Sequence, residues 1–569
     1  MPGTCQRARY VNRRSQILTA SLGLAFALPA HAQVSAGQIL NNLRNEQRQQ
    51  QTLPSPVPAA SAPQAPTHGP AAPPSVHFVV RRMRFVGAPR GERDALRKLV
   101  APYLNRSIDF ATLQEAANRV AEYCQRHGHL VHVLFPEQDI TAGVVTLRIM
   151  TARLGAVVVR GAPRGDEARL ENWVYAQVPR GQPIDLPALE RALLLLDDLP
   201  EFEVYGSLAR GSQAGLSDVD LQVAPRAALQ GAVSVDNFGG SSTGRTRLSA
   251  QLGVNGVLGF GTRLGLNAMR SSGTRFAQVD LGLPVRDGGW RVGIDASRMQ
   301  YKVLGSTFQA LSISGSTTSA GLHASYPLLR SRPANLLLRL GWEFNAIRSA
   351  NAAGAVADQS YDTRVAHAEF DGNWLAEGIN TGTLRLVSGN IGRDPAGNYN
   401  RSYQVAGDFA KLAWSINHTQ DFVHGLSGHA SLSGQFANRN LDSSEQMYLG
   451  GPYAMRAYAS GQLPATQGAL LSLQLRHAWW RRIQSEVFYD AGTVQTWKGT
   501  SAANDASNRY TVQDAGIGLT WHGPRGASLT ASWACRLGHL DPSVASYLQL
   551  NGGLARNRIW LMLSLPFER

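Results

Sequence analysis

The chain alternates apolar and polar residues with a period of two from about residue 229 to its last residue, 569. The pattern is clearest in residues 247–254, 290–297 and 336–345. A period of two sends successive side chains to opposite faces of a β-strand, so this region predicts many strands with one apolar and one polar face. Such strands form either a water-soluble sandwich or a barrel whose apolar face meets lipid and whose polar face lines a lumen.

The amino terminus indicates export from the cytoplasm. Several arginines, an apolar run from Ile17 to Leu28 and the small-residue site at residues 30–32 follow one another, which predicts a signal peptide over residues 1–32. The apolar run is shorter than the roughly 20 residues that a spanning helix needs. No later stretch is apolar for long enough to do so. A membrane-inserted form of the mature chain must therefore be a closed barrel, because every backbone amide in lipid needs a partner.

The last segment favours the barrel over the sandwich. Its apolar side chains recur at every second position from Ile559 to Phe567, as in the terminal strand of an outer-membrane barrel. Residues 229–569 accommodate about sixteen antiparallel strands of about ten residues each. An even strand number also places both ends of the barrel on the periplasmic side. Glu568 and Arg569 follow the terminal aromatic residue, whereas many barrels end on that residue.

Charge and cysteine content restrict the partners. The formal net charge of +15 comes mostly from arginine and suits anionic outer-membrane lipids or an acidic partner. Secretion makes nucleic acid the least suitable of the anionic partners. Cys124 and Cys535 remain after signal-peptide removal, one on a predicted helix and one in a predicted strand, so no disulfide is expected.

Two short regions precede the folded modules. Residues 33–52 predict a polar helix whose narrow apolar stripe consists of Ile39, Leu40 and Leu43. Such a helix is stable only when it docks against something else. Residues 53–75 are rich in proline and alanine, which is typical of an extended, semi-rigid linker. The helix is therefore tethered to the remainder of the chain.

An internal repeat divides the region between linker and barrel. The pentapeptide Gly-Ala-Pro-Arg-Gly occurs at residues 87–91 and again at 161–165, and an Ile-Asp pair occurs at 108–109 and again at 184–185. Each repeat has the predicted order strand, helix, helix, strand, strand. The sequence thus predicts two small α+β modules, at residues 76–152 and 153–226, followed by the barrel at residues 229–569.

Four motifs carry a resemblance to a known family. The first module has Pro136, Gln138, Asp139 and Gly143, and the barrel begins with Val-Asp-Asn-Phe-Gly at residues 235–239. An aperiodic loop contains Met455, Arg456, Ala457 and Tyr458, and a later strand contains Phe488, Asp490 and Gly492. In this order the motifs resemble those of the two-partner secretion transporters (TpsB), the outer-membrane haemolysin-activator and filamentous-haemagglutinin-transporter family of the POTRA-barrel superfamily. The two repeats look like its polypeptide-transport-associated (POTRA) domains.

The resemblance implies that the loop folds back into the barrel and that Arg456 reaches Asp490. Arginine can grip one carboxylate with two hydrogen bonds, and restricted water in a lumen would weaken that contact less than bulk solvent does. The alternative is a solvated loop charge, as is common for arginine. Ala457 stands where the family has glycine, so the loop tip either adopts a conformation that alanine permits or is strained.

The function that the resemblance implies is a pore in the bacterial outer membrane. With its POTRA domains in the periplasm, it would recognise and export a large TpsA-type exoprotein, such as an adhesin or a cytolysin, with the tethered helix as a plug. Two alternatives are an insertase of the same superfamily, which usually has more modules, and a surface enzyme carried on a barrel. No catalytic residue, metal site, nucleotide site or cofactor is predicted, since His127, His129 and His132 lack ligand spacing and Gly259–Gly261 precedes no helix.

Overall fold

The computed structural model describes residues 35–50, 53–57, 77–89, 91–163, 165–213, 215–304, 312–351, 359–393, 404–480, 482–498, 508–550 and 553–569. The predicted signal peptide and most of the predicted linker lie outside these residues. Within them, no helix is both long enough and apolar enough to cross a bilayer.

The carboxyl-terminal region is a closed antiparallel barrel of sixteen strands, as the alternation predicted. Its first half contains β9 (Leu229–Asp236), β10 (Arg247–Asn255), β11 (Arg263–Arg270), β12 (Thr274–Val285), β13 (Trp290–Lys302), β14 (Ile313–Arg330), β15 (Ala334–Asn351) and β16 (Gln359–Ala376). Its second half contains β17 (Gly378–Ile391), β18 (Gly407–Asp421), β19 (Leu426–Ala437), β22 (Gln467–Trp479), β23 (Ile483–Gln495), β24 (Arg509–His522), β25 (Ser528–Leu537) and β26 (Asn557–Glu568). Most connections at the end nearest the modules are short, and most of the longer ones lie at the opposite end, which the resemblance makes extracellular; the turn at residues 271–273 is an exception.

The seam between β9 and β26 closes the barrel. These strands pair from Met562 opposite Asp236 to Glu568 opposite Gln230. Arg569 continues the ladder, because its backbone exchanges hydrogen bonds of 2.8 and 3.0 Å with Leu229. The two residues beyond the terminal Phe567 therefore complete the periplasmic end of the seam.

At its extracellular end the seam is extended by a side chain. The Asn237 amide donates to the Ile559 carbonyl oxygen at 3.0 Å, and its Oδ1 accepts from the Leu561 N–H at 2.9 Å. The side chain thus occupies the place of a further strand residue beside β26. It satisfies backbone groups that would otherwise lack a partner where β9 has ended.

The first module contains β1 (Phe78–Val80), β2 (Arg82–Val86), α2 (Arg93–Val100), β3 (Arg106–Ile108), α3 (Phe110–Arg126), β4 (Val131–Leu134) and β5 (Val144–Thr151). The predicted strand 78–86 is divided at Arg81. Its first part pairs with β3, and its second part joins a sheet of order β2-β5-β4. The sequence pattern missed this division because the two parts are almost continuous and both alternate. Helix α3 begins at the N-cap Asp109, which accepts from the Thr112 N–H at 2.8 Å.

The second module contains β6 (Arg153–Arg160), α4 (Glu167–Gln177), α5 (Leu186–Asp197), β7 (Phe202–Arg210) and β8 (Leu216–Pro225), in the predicted order. Its sheet has the order β6-β8-β7, and helix α5 begins at the N-cap Asp185. The same Ile-Asp pair therefore caps a helix in both repeats. Within the described residues, two further helices lie outside the modules: α1 (Ala36–Gln50) and α6 (Pro542–Leu550), which was not predicted.

The second module contacts the periplasmic rim of the barrel. Arg330, at the end of β14, donates two 2.8 Å hydrogen bonds to the carboxylate of Asp198. Phe260, in the turn between β10 and β11, packs against the Trp173 and Phe202 rings of the module core. These contacts hold the module at the entrance to the lumen.

The repeated Gly-Ala-Pro-Arg-Gly sequence has a structural cause. Gly87 and Gly161 have φ values of 83° and 82°, and a Cβ on them would lie 2.3 and 2.4 Å from the carbonyl oxygens of Ile149 and Val223. Only glycine allows both this backbone conformation and this close approach. The glycines at the other end of the repeat, Gly91 and Gly165, also have positive φ but have open space around them.

We expect Gly161→Ala to destabilise the second module by several times more than Gly165→Ala. The control substitution meets only the left-handed backbone cost of about 1–2 kcal/mol, whereas Gly161→Ala also forces β6 away from β8. The urea midpoint of proteolytic cleavage within residues 153–226 of the full chain measures both effects. Equal midpoints for the two variants would show that the Val223 carbonyl contact carries no cost.

Candidate functional site

The long connection between β19 and β22 folds inward rather than extending from the barrel. It includes the two-residue strands β20 (Met447–Tyr448) and β21 (Pro464–Ala465), which pair with each other. Between them, Met455 and Tyr458 are at most 1% exposed. The loop packs in one apolar cluster with inward residues of β22–β25 and with Val544 and Leu548 of α6. The motif 455–458 therefore lies inside the barrel, where the resemblance places it.

Arg456 is surrounded by the inner wall of the barrel. Its Nε lies 3.2 Å from Asp490 Oδ2, and one terminal nitrogen donates to Glu486 Oε1 at 3.1 Å. The other donates to Ser472 Oγ at 3.3 Å, and Ser472 in turn donates to Asp490 Oδ1 at 2.6 Å. The guanidinium also lies 3.6 Å from the centre of the Phe488 ring. One buried cation is thus held by two carboxylates, a hydroxyl and an aromatic face.

The contact with Asp490 differs from the two-hydrogen-bond grip that the sequence suggested. Although the charged groups are close, the Nε–H and Asp490 Oδ2 are not aligned as a hydrogen bond. The planar guanidinium directs its aligned donors toward Glu486 and Ser472 instead. Asp490 therefore contributes mainly charge, and Glu486 contributes the directional contact.

The loop tip uses a conformation that alanine permits. Ala457 is absent from the residues with positive φ among those described, so the methyl group that replaces the family's glycine causes no left-handed strain. Its N–H donates to Asp514 Oδ2 at 3.0 Å, and Asp514 lies directly opposite Asp490 in the β23–β24 ladder. The two neighbouring carboxylates hold the loop through different atoms, one by a side chain and one by the backbone.

The motif on β23 forms the surface beneath the loop. Phe488, Asp490 and Gly492 occupy alternate positions and all face inward. A Cβ on Gly492 would lie 2.8 Å from a Leu449 methyl and 3.3 Å from the Met455 sulfur. The absent side chain at Gly492 thus provides the space into which the loop packs.

The loop is also fastened to the seam of the barrel. The Arg456 carbonyl oxygen accepts from Trp560 Nε1 of β26 at 2.7 Å. Phe238, just after β9, packs edge-to-face against Trp560 and against Tyr453 of the loop. The barrel-entrance motif 235–239 therefore has two roles, because Asn237 extends the seam and Phe238 contacts the loop.

Sequence reasoning missed Glu486, Ser472, Asp514 and Trp560. The period-two pattern contains a signal for the first, since Glu486 lies four residues before Asp490 and so shares its face. The other three required the strand register. Tyr458 is buried against α6, and this burial raises the pKa of its hydroxyl. That hydroxyl has no hydrogen-bond partner among the described residues.

Helix α1 also lies in the lumen. Its N-cap is Ser35, whose Oγ accepts from the Gln38 N–H at 3.1 Å, and its predicted stripe residues Leu40 and Leu43 are buried. They pack on inward apolar side chains of β11–β16, called here the helix socket: Met269, Phe276, Met299, Tyr301, Ile347 and Val365. The lumen wall is therefore not uniformly polar, because the helix socket is an apolar part of it, and the helix buries its stripe there.

The polar face of α1 contacts the loop. Gln38 donates to the Gly461 carbonyl oxygen at 2.7 Å, and Asn41 donates to the Gln446 carbonyl oxygen at 2.6 Å. Ser35 and Ser443 join their hydroxyls at 2.7 Å. The helix and the loop thus contact each other directly and together occupy the lumen.

Charged residues on the last two turns of α1 meet the opposite charge on the wall. Arg44 lies 2.7 Å from Glu343 of β15, and Glu46 lies 2.9 Å from Arg247 of β10. Burial raises the pKa of Glu46, and the neighbouring Arg247 opposes this rise. Burial and the nearby Arg385 lower the pKa of Arg48 to about 10.

The predicted POTRA motif has a structural place at the sheet of the first module. The Gln138 side chain exchanges hydrogen bonds with both the N–H and the carbonyl oxygen of Thr146, as a neighbouring strand would. Asp139 caps the turn at the Thr141 N–H, and Gly143 has a positive φ and accepts from the N–H groups of residues 81 and 82. Pro136 lies between β4 and this turn. Among the described residues, no cluster of three or more His, Cys, Asp or Glu could hold a metal ion.

A closed sixteen-strand barrel, two α+β modules at its rim and a lumen filled by a loop and a helix define an outer-membrane pore of the POTRA-barrel class. The model of the haemolysin secretion/activation proteins ShlB/FhaC/HecB matches residues 215–520, more than half of the chain, and that of the ShlB-type POTRA domain matches residues 78–151. The chain belongs to this haemolysin secretion/activation family. It is an outer-membrane transporter of two-partner secretion, with its POTRA domains in the periplasm.

Similar proteins cover most of the chain. The heme/hemopexin transporter protein HuxB of Haemophilus influenzae (strain 86-028NP) is 24% identical over 488 residues, which is 83% of this chain and 84% of that protein. The outer membrane transporter CdiB of Dickeya dadantii (strain 3937) is 24% identical over 483 residues, covering 80% and 81%. The solved structure of CdiB from Escherichia coli has the same fold, with a TM-score of 0.67 at 20% identity over 97% of this chain and 98% of that one.

We expect Arg456→Gln to loosen the loop, because it leaves the fully buried Asp490 without its cation, at a cost of about 3–5 kcal/mol, while Glu486 keeps Arg476 at 3.7 Å. The measurement is the rate of maleimide labelling of a cysteine placed at Ala459 in a Cys535→Ser background. We expect Arg456→Gln to increase this labelling rate about tenfold or more. Arg476→Gln is the matched control, since Arg476 faces the same lumen near Glu486 and makes no hydrogen bond or ion pair with the loop among the described residues.

The charge pair itself is tested by adding Asp490→Asn. If Arg456 and Asp490 interact directly, the double variant labels more slowly than the product of the two single effects predicts. Strictly multiplicative effects would contradict the pairing.

Proposed function

We propose that this chain exports one large TpsA-type exoprotein, such as an adhesin or a cytolysin, through the barrel lumen. In the described contacts α1 and the long loop occupy the space in the lumen that such a cargo would need, which supports a resting, plugged state of the pore. The observation that carries the proposal is the division of these contacts. The loop is held by Arg456 against the fully buried Asp490, whereas the ion pairs of α1 join side chains that are 9–22% exposed and its apolar stripe is narrow.

The difference between these two sets of contacts makes α1 the element that leaves the lumen during export. It has a linker of more than twenty predicted residues, and its carboxyl-terminal end runs toward the periplasmic rim. There the Val57 N–H donates to the Arg332 carbonyl oxygen at 2.9 Å in the turn between β14 and β15. A helix released toward the periplasm stays attached and can return. The loop has no such tether and stays as the wall along which the cargo passes.

The POTRA modules would receive the cargo in its unfolded state. In the second module β7 is an edge strand, and its Tyr205 is 60% exposed. In the first module β4 is an edge strand whose Leu134 is exposed. An extended chain can pair with such edges and place alternate side chains on these apolar residues. Transport then proceeds without catalysis or a nucleotide, drawn outward by folding of the cargo at the cell surface.

The adjacent reading frame provides the most direct test. We expect it to encode a large secreted protein with an amino-terminal secretion domain, which reaches the medium only when this chain is present. Secretion of that protein in a strain lacking this chain would contradict the assignment.

Arg44→Glu should raise the fraction of time that the pore is open in planar bilayers by about tenfold. The substitution replaces an attraction to Glu343 with a repulsion, which outweighs the contribution of about 1 kcal/mol expected for such a pair. Deletion of residues 33–75 should open the pore further. Adding Glu343→Arg to Arg44→Glu should lower the conductance in part, because an arginine at position 343 also meets Arg385; a conductance no lower than that of Arg44→Glu would contradict the direct pair.

Arg456→Ala should abolish or strongly reduce export while the barrel still assembles, as judged by the heat-dependent shift of the folded band on gels. Arg509→Ala is the control, because Arg509 faces outward on β24 and its described polar partner is Gln495. Exchanging the residues at positions 456 and 490 should restore export only in part, since an aspartate at position 456 also meets Glu486. Normal export by Arg456→Ala would overturn the role of the loop motif.

A further inference from the structure

Six basic side chains lie on the outer surface of the barrel, near the extracellular ends of β11–β16. They are exposed, and none has an ion-pair partner among the described residues. We call them the basic band: Arg270, Arg275, Arg298, Lys302, Arg348 and Arg364. Each lies next in sequence to one residue of the helix socket, and neighbours in a strand point to opposite faces. Because the socket faces the lumen, the basic band faces the membrane.

The strand register brings like charges together within this band. Arg270 lies directly opposite Arg275 in the β11–β12 ladder. Arg275 lies opposite Gln300 on β13, and Gln300 is flanked on the same face by Arg298 and Lys302. Like charges directly opposite each other destabilise a sheet, with Cβ atoms about 5 Å apart. An anion bound between them would remove this cost.

The position of the band along the strands places it at the membrane border. On β13 the outward residues below Arg298 are apolar: Ala296, Ile294, Val292 and Trp290. Ile294 lies roughly 13 Å below Arg298 along the strand. Trp290, at the periplasmic end, stacks on Tyr326 with ring centres 4.8 Å apart, as in an interfacial aromatic girdle. The apolar belt therefore ends where the cations begin.

The band is confined to one side of the barrel. In the described parts of β22–β26, the one outward cation at a matching height is Arg509, which donates to Gln495 at 3.0 Å. Within the band itself, Asp362 is the one described carboxylate on the outer face, and it lies between Arg348 and Arg364. The Arg270–Lys302 half of the band is uncompensated. A general preference for basic residues at the membrane border would be distributed around the barrel.

An apolar concavity of about 570 Å³ lies on the same strands, below the uncompensated half of the band. Its outward lining includes Leu281, Ile294, Leu322, Leu340 and Trp342. Cations at the membrane border above an apolar hollow match an amphiphile with an anionic head and acyl chains. Arginine in particular binds phosphate through paired donors.

We propose that the outer face of β11–β15 binds a phosphorylated glycolipid of the outer leaflet. Its phosphates lie among Arg270, Arg275 and Arg298, and an acyl chain lies in the concavity between Ile294 and Leu322. The site shares its strand segments with the helix socket on the lumen side. A lipid bound there therefore supports the wall against which α1 docks.

The experiment is native mass spectrometry of the full-length protein, exchanged from detergent into a defined concentration of a bisphosphorylated glycolipid or of its dephosphorylated form. The wild type should retain the bisphosphorylated form preferentially. The variant Arg270→Gln/Arg275→Gln/Arg298→Gln should lose affinity by about fivefold for each arginine, as expected for about 1 kcal/mol per charge. Arg509→Gln should bind as the wild type does, and Leu322→Ser should weaken binding of both lipid forms.

Three results would overturn the proposal. The first is equal retention by the triple variant and the wild type, and the second is equal retention of the phosphorylated and dephosphorylated lipids. The third is binding of inorganic phosphate alone with the affinity of the lipid, which would indicate an anion site without a role for acyl chains. Should the triple variant fail to assemble, the pair Arg275→Gln and Arg275→Lys replaces it. The former should lose more binding than the latter, which keeps the charge without the paired donors.

Discussion

Pairing of every backbone amide within the membrane is the constraint on which the rest of this structure depends. In lipid no water replaces a missing strand neighbour, so the sheet must close on itself. The closure occurs between β9 and β26. At one end the Arg569 backbone extends β26 and pairs with Leu229, and at the other the Asn237 amide takes the place of β9 beside β26. Both devices supply hydrogen bonds where a regular strand partner is absent.

Closing sixteen strands leaves a lumen too wide for wall side chains to fill, and the chain fills it with its own segments. The loop around Arg456 and the helix α1 are held in the lumen by different interactions. The loop carries a buried cation whose removal would leave the buried Asp490 without its positive partner, which makes withdrawal costly. The helix is held by contacts that are individually weak, and it contacts the loop through Gln38 and Asn41. A pore built in this way can release one element while it retains the other.

The strands β11–β16 present different sets of side chains to the lumen and to the membrane. Their inward residues form the helix socket, and the residues next to these in sequence form the basic band on the outer face. A period of two makes this combination available to any strand, because one face can be specified independently of the other. The wall that receives the helix on its inner face thus also carries the basic band on its outer face.

The amino-acid sequence by itself determined the barrel, its strand number, the two repeated modules and the helix stripe, because each rests on a local period or on an adjacent cap and turn. The resemblance placed Asp490 on the lumen side, and the period of two along β23 could then have revealed Glu486 on the same face. The partners Ser472, Asp514 and Trp560 belong to other strands, and only the tertiary structure decided them, since the register between strands is set by closure of the whole sheet. For the same reason the opposition of Arg270 and Arg275, the apolar socket and the division of the strand at Arg81 could not be read from the sequence pattern.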